Sequence, residues 1–119
     1  MYLSSMGFRR PASQNEFLPG TLEMLILQTL TRGRMHGYGI AQSIRQRSED
    51  VLRVGEGSLY PALQRLQVKA LVAAEWRPSD TGRRARYYHL TPLGRRQLEQ
   101  ELDSYERVSR AIALVLDPV

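Results

Sequence analysis

The sequence predicts a mainly α-helical fold with one small β-hairpin. Three short segments carry apolar residues at helical spacing, a stretch of alternating residues follows them, and a long amphipathic segment comes last. The predicted helices cover about 21–32, 38–48 and 57–69, the hairpin about 71–90, and the last helix 92–116. With 119 residues, the chain has the size of one domain and is long enough to bury a core.

The first predicted helix begins at Thr21, a favourable N-cap residue, and ends before Gly33. Its main apolar stripe consists of Leu22, Leu25, Ile26 and Leu30. Met24 and Leu27 make a second face apolar as well. Because a surface helix needs only one apolar stripe, we expect this helix to be packed between two partners.

The second and third predicted helices are amphipathic. The second follows the turn His36–Gly39 and places Ile40 and Ile44 inward. In the third, Pro61 falls in the first turn, where its missing N–H is tolerated. The expected inward stripe of the third helix is Leu59, Leu63, Leu66 and Ala70, and the outward set is Ser58, Tyr60, Gln64, Arg65 and Lys69.

After the third helix the apolar period changes to two. Residues 71–76 alternate, Pro78–Gly82 is a turn cluster, and residues 86–90 are rich in strand formers. The tip of this hairpin carries Arg83, Arg84 and Arg86. Trp76 is expected to be a packing residue of the strand. Thr91-Pro92 then begins the long last helix.

Three helices followed by a hairpin, with a polar outer face on the third helix, form a winged helix-turn-helix. The third helix of this fold fits the DNA major groove, the helix before it crosses the phosphate backbone, and a basic hairpin reaches the neighbouring groove or backbone. We therefore divide the chain into a flexible N-terminal tail (1–17), a winged helix-turn-helix DNA-binding domain (18–91) and a C-terminal dimerisation helix (92–119).

The charge of the chain fits a polyanionic partner. The formal net charge is +5, and 16 of the 17 basic residues are arginine. Residues 21–91 hold eleven basic and six acidic side chains, so this region accounts for +5. Taken singly, these observations have ordinary explanations. The charge could reflect an arginine-rich soluble surface, and the outward set of the third helix could be a solvated helix face. Their combination on one recognisable element favours DNA.

Several classes of protein are excluded. The chain has no cysteine, which rules out a disulfide scaffold, an iron–sulfur cluster and a thiol nucleophile. Its two histidines, His36 and His89, have no spacing typical of a metal site or a catalytic triad. The longest apolar run, Ala111–Leu116, is far too short to cross a membrane, and the first residues lack a secretion signal. We expect a cytoplasmic protein that is not an enzyme, with no catalytic residues, metal or cofactor.

Four blocks of sequence resemble the PadR family of bacterial transcriptional regulators. They are Pro19–Leu22 with Ile26-Leu27, His36–Ile40, Gly57–Leu66 and Arg84–Gly94. The resemblance covers about residues 18–116. A single helix after the hairpin is similar to the short subgroup of the family, and Glu75-Trp76 resembles a subgroup common in acidobacteria.

The resemblance implies a homodimeric repressor that binds an inverted repeat in double-stranded DNA. It also implies that Tyr60 lies at the DNA and that Gly37-Tyr38 begins the helix touching the backbone. From residue chemistry, Gln64 and Arg65 suit base edges, whereas Ser58 and Lys69 suit phosphates. The complete set of predicted DNA-binding residues is Tyr38, Ser58, Tyr60, Gln64, Arg65, Lys69, Arg83, Arg84 and Arg86.

The last helix carries an apolar seam that suits a dimer. Leu98, Leu102, Tyr105, Ser109, Ile112 and Leu116 follow one another at spacings of 4, 3, 4, 3 and 4. This is a heptad pattern of about three repeats, in which Ser109 is the weak member. The predicted dimerisation residues are Leu98, Leu102, Tyr105, Ile112 and Leu116. Packing of this seam against the first helix of the same chain is the alternative, and both arrangements are compatible.

The sequence thus favours a dimeric, sequence-specific DNA-binding repressor, released by a small-molecule inducer or by a change in dimer geometry. The alternative is a winged-helix protein-interaction module that does not bind DNA and docks a partner through its long helix. A small hydrolase would need a nucleophile and a base that the sequence does not supply.

Overall fold

The structure, a computed structural model, describes residues 20–118 of the chain. Its elements in chain order are α1 (Thr21–Leu30), β1 (Met35–His36), α2 (Gly37–Arg47), α3 (Glu56–Val68), β2 (Val72–Pro78), β3 (Arg84–Leu90) and α4 (Pro92–Leu116). The predicted fold class, mainly helical with a small hairpin and a long last helix, is confirmed. The tail predicted for residues 1–17 lies outside the described residues.

The N-caps of α1 and α2 are residues that the sequence expectation did not name as caps. The N-cap position of α1 is taken by Gly20 and not by Thr21, and no side chain caps the helix. Gly20 has φ 82, in the left-handed region that favours glycine. At the start of α2, His36 is the N-cap, and its Nδ1 accepts a hydrogen bond of 3.0 Å from the amide of Gly39. This bond requires the other ring nitrogen, Nε2, to carry the proton of the neutral ring.

The sheet has three antiparallel strands in the order β1-β3-β2. The strand β1 was not predicted; its two residues pair with Tyr87 and Tyr88 of β3. Within the hairpin, one face, here called the inner face, consists of Val72, Ala74, Trp76 and Pro78, paired in that order with Leu90, Tyr88, Arg86 and Arg84. The inner face runs from the buried core at the base of the hairpin to two arginines near its tip.

Helix α1 lies at the centre of the hydrophobic core. It packs against α2, α3 and α4, and its residues Ile26 and Leu27 are fully buried. This confirms that α1 is held between several partners. The other core residues are Leu22, Met24, Leu30, Ile40, Ile44, Leu59, Ala62, Leu63, Leu66, Leu71, Val72, Tyr88, Leu90 and Leu98.

The root of α4 is fastened to the turn that follows α3. The hydroxyl of Thr91 accepts a hydrogen bond of 3.0 Å from the amide of Gly94. The same hydroxyl donates to the carbonyl oxygens of Ala70 and Leu71, at 2.8 and 3.1 Å. A Cβ atom added to Gly94 would lie 2.1 Å from the carbonyl oxygen of Leu71, so only glycine fits this contact. Ala70, expected on the inward stripe of α3, instead lies exposed beyond the helix end with φ 63.

Beyond its first two turns, α4 extends away from the core. Leu98, expected to open the dimerisation seam, is 5% exposed and packs inside the core of its own chain. For this residue the structure shows packing within the chain, the arrangement that the sequence left open beside the dimer seam. Every apolar side chain from Leu102 to Leu116 is exposed. No helix within residues 20–118 combines the length and the apolar character needed to span a membrane.

Candidate nucleic-acid interface

A cleft of about 800 Å³ separates the inner face of the hairpin from the first turns of α2 and α3. On the helix side it is lined by His36 and Tyr38, at the start of α2, and by Tyr60, in the first turns of α3. On the hairpin side it is lined by Trp76, Arg84 and Arg86, among others. Aromatic rings and guanidinium groups therefore face one open groove.

The outer face of the hairpin consists of Ala73, Glu75 and Arg77 with their partners His89, Tyr87 and Ala85, and its one arginine is paired with its one carboxylate. One oxygen of Glu75, Oε2, accepts hydrogen bonds from Arg34 at 2.6 Å and from Arg77 at 3.1 Å. Arg45 and Arg53, near the end of α2, are likewise both paired with Asp50. In these places a carboxylate offsets the positive charge.

The arginines near the cleft are different. Arg83, Arg84 and Arg86 form no ion pair with any carboxylate of residues 20–118. Arg86 instead lies over the ring of Trp76, with its Cζ 5.8 Å from the ring centroid. Trp76 was expected to be a packing residue, but it is 54% exposed and forms part of the cleft wall. The positive charge of the hairpin is therefore concentrated on the side that faces α3.

The outward face of α3 has a centre and two flanks. At 100° per residue, Pro61, Gln64 and Val68 lie opposite the buried leucines and form the centre. Val68 is 76% exposed, which is unusual for a branched apolar side chain. Tyr60 lies on the flank that faces α2 and the cleft, whereas Arg65 and Lys69 lie on the flank that faces α1.

Tyr60 is held against the start of α2. A Cβ atom on Gly37 would lie 2.8 Å from the Tyr60 hydroxyl oxygen, so the glycine allows the ring to approach the α2 backbone. Burial, the carboxylate of Glu56 and the hydroxyl of Tyr88 raise the pKa of Tyr60 above its ordinary value. The hydroxyl consequently remains a hydrogen-bond donor at neutral pH.

Glu23 of α1 ties down the opposite flank of α3. Its carboxylate accepts hydrogen bonds from Arg65 Nε at 2.6 Å and from Lys69 Nζ at 3.1 Å. The side chain of Glu23 is only 13% exposed, whereas those of both partners are more than half exposed. Burial by itself would raise the pKa of Glu23, but the hydrogen bonds and charges of Arg65 and Lys69 outweigh it and lower that pKa below 4.5. Glu23 is therefore ionised at neutral pH and holds both cations on the α1 side.

The structure thus divides the predicted DNA-binding residues into groups. Those around the cleft are Tyr38, Tyr60, Arg83, Arg84 and Arg86. Gln64 lies at the centre of the outward face of α3, Ser58 is half-buried in the first turn, and Arg65 and Lys69 are bound to Glu23.

Several residues at or beside this surface are absent from the predicted set, among them Glu23, His36, Val68 and Trp76. The hairpin register could have placed Trp76 beside Arg86, because directly opposed residues share a face. No sequence pattern links Glu23 to residues more than 40 positions away. Within residues 20–118, no three histidine, aspartate or glutamate side chains are grouped closely enough to hold a metal ion.

Comparison with known proteins agrees with the geometry. Residues 26–100 match the transcriptional regulator PadR-like family. The transcriptional regulator Rv3488 of Mycobacterium tuberculosis (strain ATCC 25618 / H37Rv) is 33% identical over 97 residues, which cover 82% of this chain and 87% of that protein. An uncharacterized 37.1 kDa protein in transposon TN4556 of Streptomyces fradiae is 46% identical over 87 residues, covering 73% of this chain but only 24% of that longer protein.

Solved structures give the same result. A PadR family transcription regulator from Clostridium difficile R20291 has a TM-score of 0.71 and 31% sequence identity, covering 82% of this chain and 99% of that one. A PadR-like transcriptional regulator from Bacillus cereus has a TM-score of 0.72 and 31% identity, covering 84% and 95%. The family match extends over more than half of the chain. The protein therefore belongs to the PadR-like family of transcriptional regulators, and it is a regulator and not an enzyme.

Proposed function

We propose that this protein is a dimeric, sequence-specific repressor that binds an inverted repeat in double-stranded DNA. The observation that carries the proposal is the charge distribution of the hairpin. Arg77 on its outer face is paired with Glu75, whereas Arg83, Arg84 and Arg86 form no ion pair with a described carboxylate and line the cleft beside Tyr60 of α3. Unpaired guanidinium groups next to a protruding helix suit a duplex with phosphates on both sides of a groove.

In the proposed complex, α3 enters the major groove and the hairpin lies over the adjacent backbone or minor groove. Gln64, at the centre of the outward face, is the best placed side chain for a base edge, since an amide can donate to and accept from adenine. Val68 and Pro61 give this face an apolar character that suits thymine methyl groups. Tyr38, Tyr60 and the hairpin arginines contact phosphates around the cleft.

Arg65 and Lys69 keep their place in the proposal beside phosphates on the second flank of α3, where the Glu23 carboxylate competes with phosphate for both cations. Sequence reasoning gave Arg65 a base contact. Because Glu23 binds its Nε, the guanidinium is held toward α1, away from the centre of the outward face. Ser58, half-buried in the first turn, keeps its proposed role at the phosphate backbone.

The second subunit of the proposed dimer docks on α4. Leu102, Tyr105, Ile112 and Leu116 are between 40% and 73% exposed and lie on one side of the helix. An apolar stripe of this length is costly to leave in water. Because its members repeat at heptad spacing, the stripe is complementary to a second copy of itself about a two-fold axis. Residues 18–91 then form the DNA-binding domain and residues 92–119 the dimerisation helix.

A two-fold dimer gives the proposal its regulatory logic. Two copies of α3, about 34 Å apart, read two half-sites one turn of DNA apart. A small-molecule inducer, or another change in dimer geometry, alters this spacing and releases the operator. Because its proposed partner is double-stranded DNA, the protein is expected to act in the cytoplasm.

The decisive experiment measures DNA binding and oligomeric state together. Fluorescence anisotropy compares a labelled duplex from the intergenic region upstream of the gene with a random duplex of equal length. With 6 to 10 phosphates engaged, affinity should fall about 10³- to 10⁵-fold between 50 and 200 mM salt. Light scattering should give the mass of two chains.

Arg84→Ala should weaken binding to both duplexes alike, whereas the matched control Arg77→Ala, on the outer face, should have little effect. A monomer that binds neither duplex at physiological salt would instead support a protein-interaction module. A dimer whose binding does not respond to salt would contradict the assignment of the arginines to phosphates.

A further inference from the structure

Arginines are oriented in two different ways on the two faces of the hairpin. On the outer face Glu75 holds Arg34 and Arg77 through its carboxylate. On the inner face Arg86 has no described carboxylate partner and lies over an indole ring. On the outer face a carboxylate orients the guanidinium groups and offsets their charge. On the inner face a ring orients the guanidinium group of Arg86 and leaves its charge unpaired.

The pairing of Trp76 with Arg86 is built into the register of the sheet. The two residues are directly opposed across β2 and β3, so their side chains leave the same face side by side. The Cζ atom of Arg86 lies 5.8 Å from the centroid of the Trp76 ring, within the usual range for a cation–π contact. Both side chains line the cleft between the hairpin and α3.

At a surface that contacts DNA, an aromatic ring orients an arginine more usefully than a carboxylate does. Stacking restricts the rotamers of a long side chain and leaves its full positive charge in place. A carboxylate at the same position would also restrict the arginine, but it would cancel the charge and repel the phosphates. The half-exposed indole is therefore explained by the function of its neighbour.

We propose that Trp76 is a positioning residue, which presents the guanidinium group of Arg86 to DNA in an ordered and fully charged form. The inference rests on the proposed DNA-binding function and assigns to Trp76 a role that acts through Arg86. It also explains why a large aromatic side chain remains 54% exposed beside the cleft.

The test uses the full chain and five variants: Trp76→Phe, Trp76→Ala, Trp76→Glu, Arg86→Ala and the double variant Trp76→Ala/Arg86→Ala. Affinity is measured for the upstream intergenic duplex over a range of salt concentrations. Trp76→Ala should lower affinity about two- to five-fold for each hairpin engaged, and Trp76→Phe less, because phenylalanine gives a weaker cation–π contact. In the Arg86→Ala background, removal of the ring should have no further effect.

The salt dependence of binding distinguishes loss of the positioning role of Trp76 from loss of the charge of Arg86. Arg86→Ala should reduce the slope of log affinity against log salt by about 0.9 for each hairpin. Trp76→Ala should leave that slope unchanged, because the unrestrained arginine still reaches a phosphate. Trp76→Glu should reduce both affinity and slope, because the new carboxylate neutralises Arg86. A purely structural role of Trp76 would give none of these differences between variants.

Two further readings complete the test. Trp76 is the only tryptophan of the chain, so its emission should change when the duplex binds. Thermal unfolding should be similar for all Trp76 variants because the ring is half exposed, and if Trp76→Ala fails to fold, Trp76→Phe and Trp76→Glu carry the comparison.

Additive losses in the double variant, or emission that does not change when anisotropy reports binding, would overturn the role of Trp76. If Arg86→Ala itself has no effect on binding, the proposed function of the hairpin fails, and not only the role of Trp76. The matched control is Arg77→Ala, whose guanidinium is already paired with Glu75.

Discussion

Replacing Glu23 with glutamine should make the protein bind DNA more tightly and with less sequence preference. In the folded chain the Glu23 carboxylate holds Arg65 and Lys69 on the α1 side of α3. Glutamine has nearly the same shape but no charge, so it should hold Arg65 and Lys69 less firmly and leave two more mobile cations on this flank of α3. Mobile cations contact phosphates of any sequence, and therefore random DNA should benefit at least as much as the operator.

The magnitude follows from counterion release. Each additional phosphate contact adds about 0.9 to the slope of log affinity against log salt, so full release of Arg65 and Lys69 from Glu23 adds at most about 1.8 per chain. Between 50 and 200 mM salt, an additional slope of about 1.8 corresponds to an extra loss of affinity of about twelve-fold per protomer. The assay is fluorescence anisotropy with the operator duplex and a random duplex. Glu99→Gln, on the exposed surface of α4, is the matched control with the same change in net charge.

The same substitution has a consequence for stability. Since the pKa of Glu23 is lower in the folded chain than its ordinary 4.5, ionised Glu23 stabilises the fold above that pH. This contribution disappears as the pH falls through the folded pKa, so acid should separate wild type and Glu23→Gln less than neutral pH does. Because both cations are more than half exposed, the difference in the free energy of unfolding should not exceed about 1 kcal/mol. If affinity and salt slope match those of the wild type, then Arg65 and Lys69 do not reach DNA, and α3 docks only through its centre and its Tyr60 flank.

Three further outcomes are expected. Gln64→Ala should reduce the preference for the operator over its base-substituted versions by about 1–3 kcal/mol, measured by competition binding; an equal loss on random DNA would remove Gln64 from base recognition. Leu102→Glu should be a monomer in light scattering and should bind the operator weakly in anisotropy. Arg110→Glu, on the other side of α4, should remain dimeric. If both variants are dimers, the interface lies elsewhere. Gly94→Ala should lower the free energy of unfolding by about 1–3 kcal/mol or more in urea titrations, because its Cβ would lie 2.1 Å from the carbonyl oxygen of Leu71. Unfolding at the wild-type midpoint would mean that the start of α4 can move to accommodate the methyl group.

Local sequence signals predicted most of the fold. The observed helices differ from the predicted ones by at most two residues at either end, because capping residues, glycine and proline act locally. The strand β1 was missed because two residues are too short to show an alternating pattern, and it forms only by pairing with Tyr87 and Tyr88 about 50 residues away. The N-cap of α1 was misplaced by one residue because Gly20, without a capping side chain, takes this position through its positive φ.

The candidate site was predicted less completely, since it depends on which distant residues pair. The arginines of the hairpin and Tyr60 could be chosen from local patterns, and they line one cleft. The tie between Glu23 and Arg65 connects helices 42 positions apart and has no local signature. Leu98 satisfies both the heptad pattern and the core, and only the three-dimensional packing decides that it is a core residue.

The hydrogen bonds of Thr91 at the start of α4 couple the tilt of that helix to the position of α3. Four bonds connect Thr91 with Gly94 and with the residues that immediately follow α3, so the start of α4 is tied to the end of α3. A 25-residue helix is about 38 Å long, and tilting it by about 10° moves its far end by about 6–7 Å. In the proposed dimer, a small sliding of the two far ends of α4 against each other would change the orientation of both copies of α3 at once. In the proposed regulator, a partner bound at the far end of α4 would therefore alter the position of α3 on DNA without contacting the DNA itself.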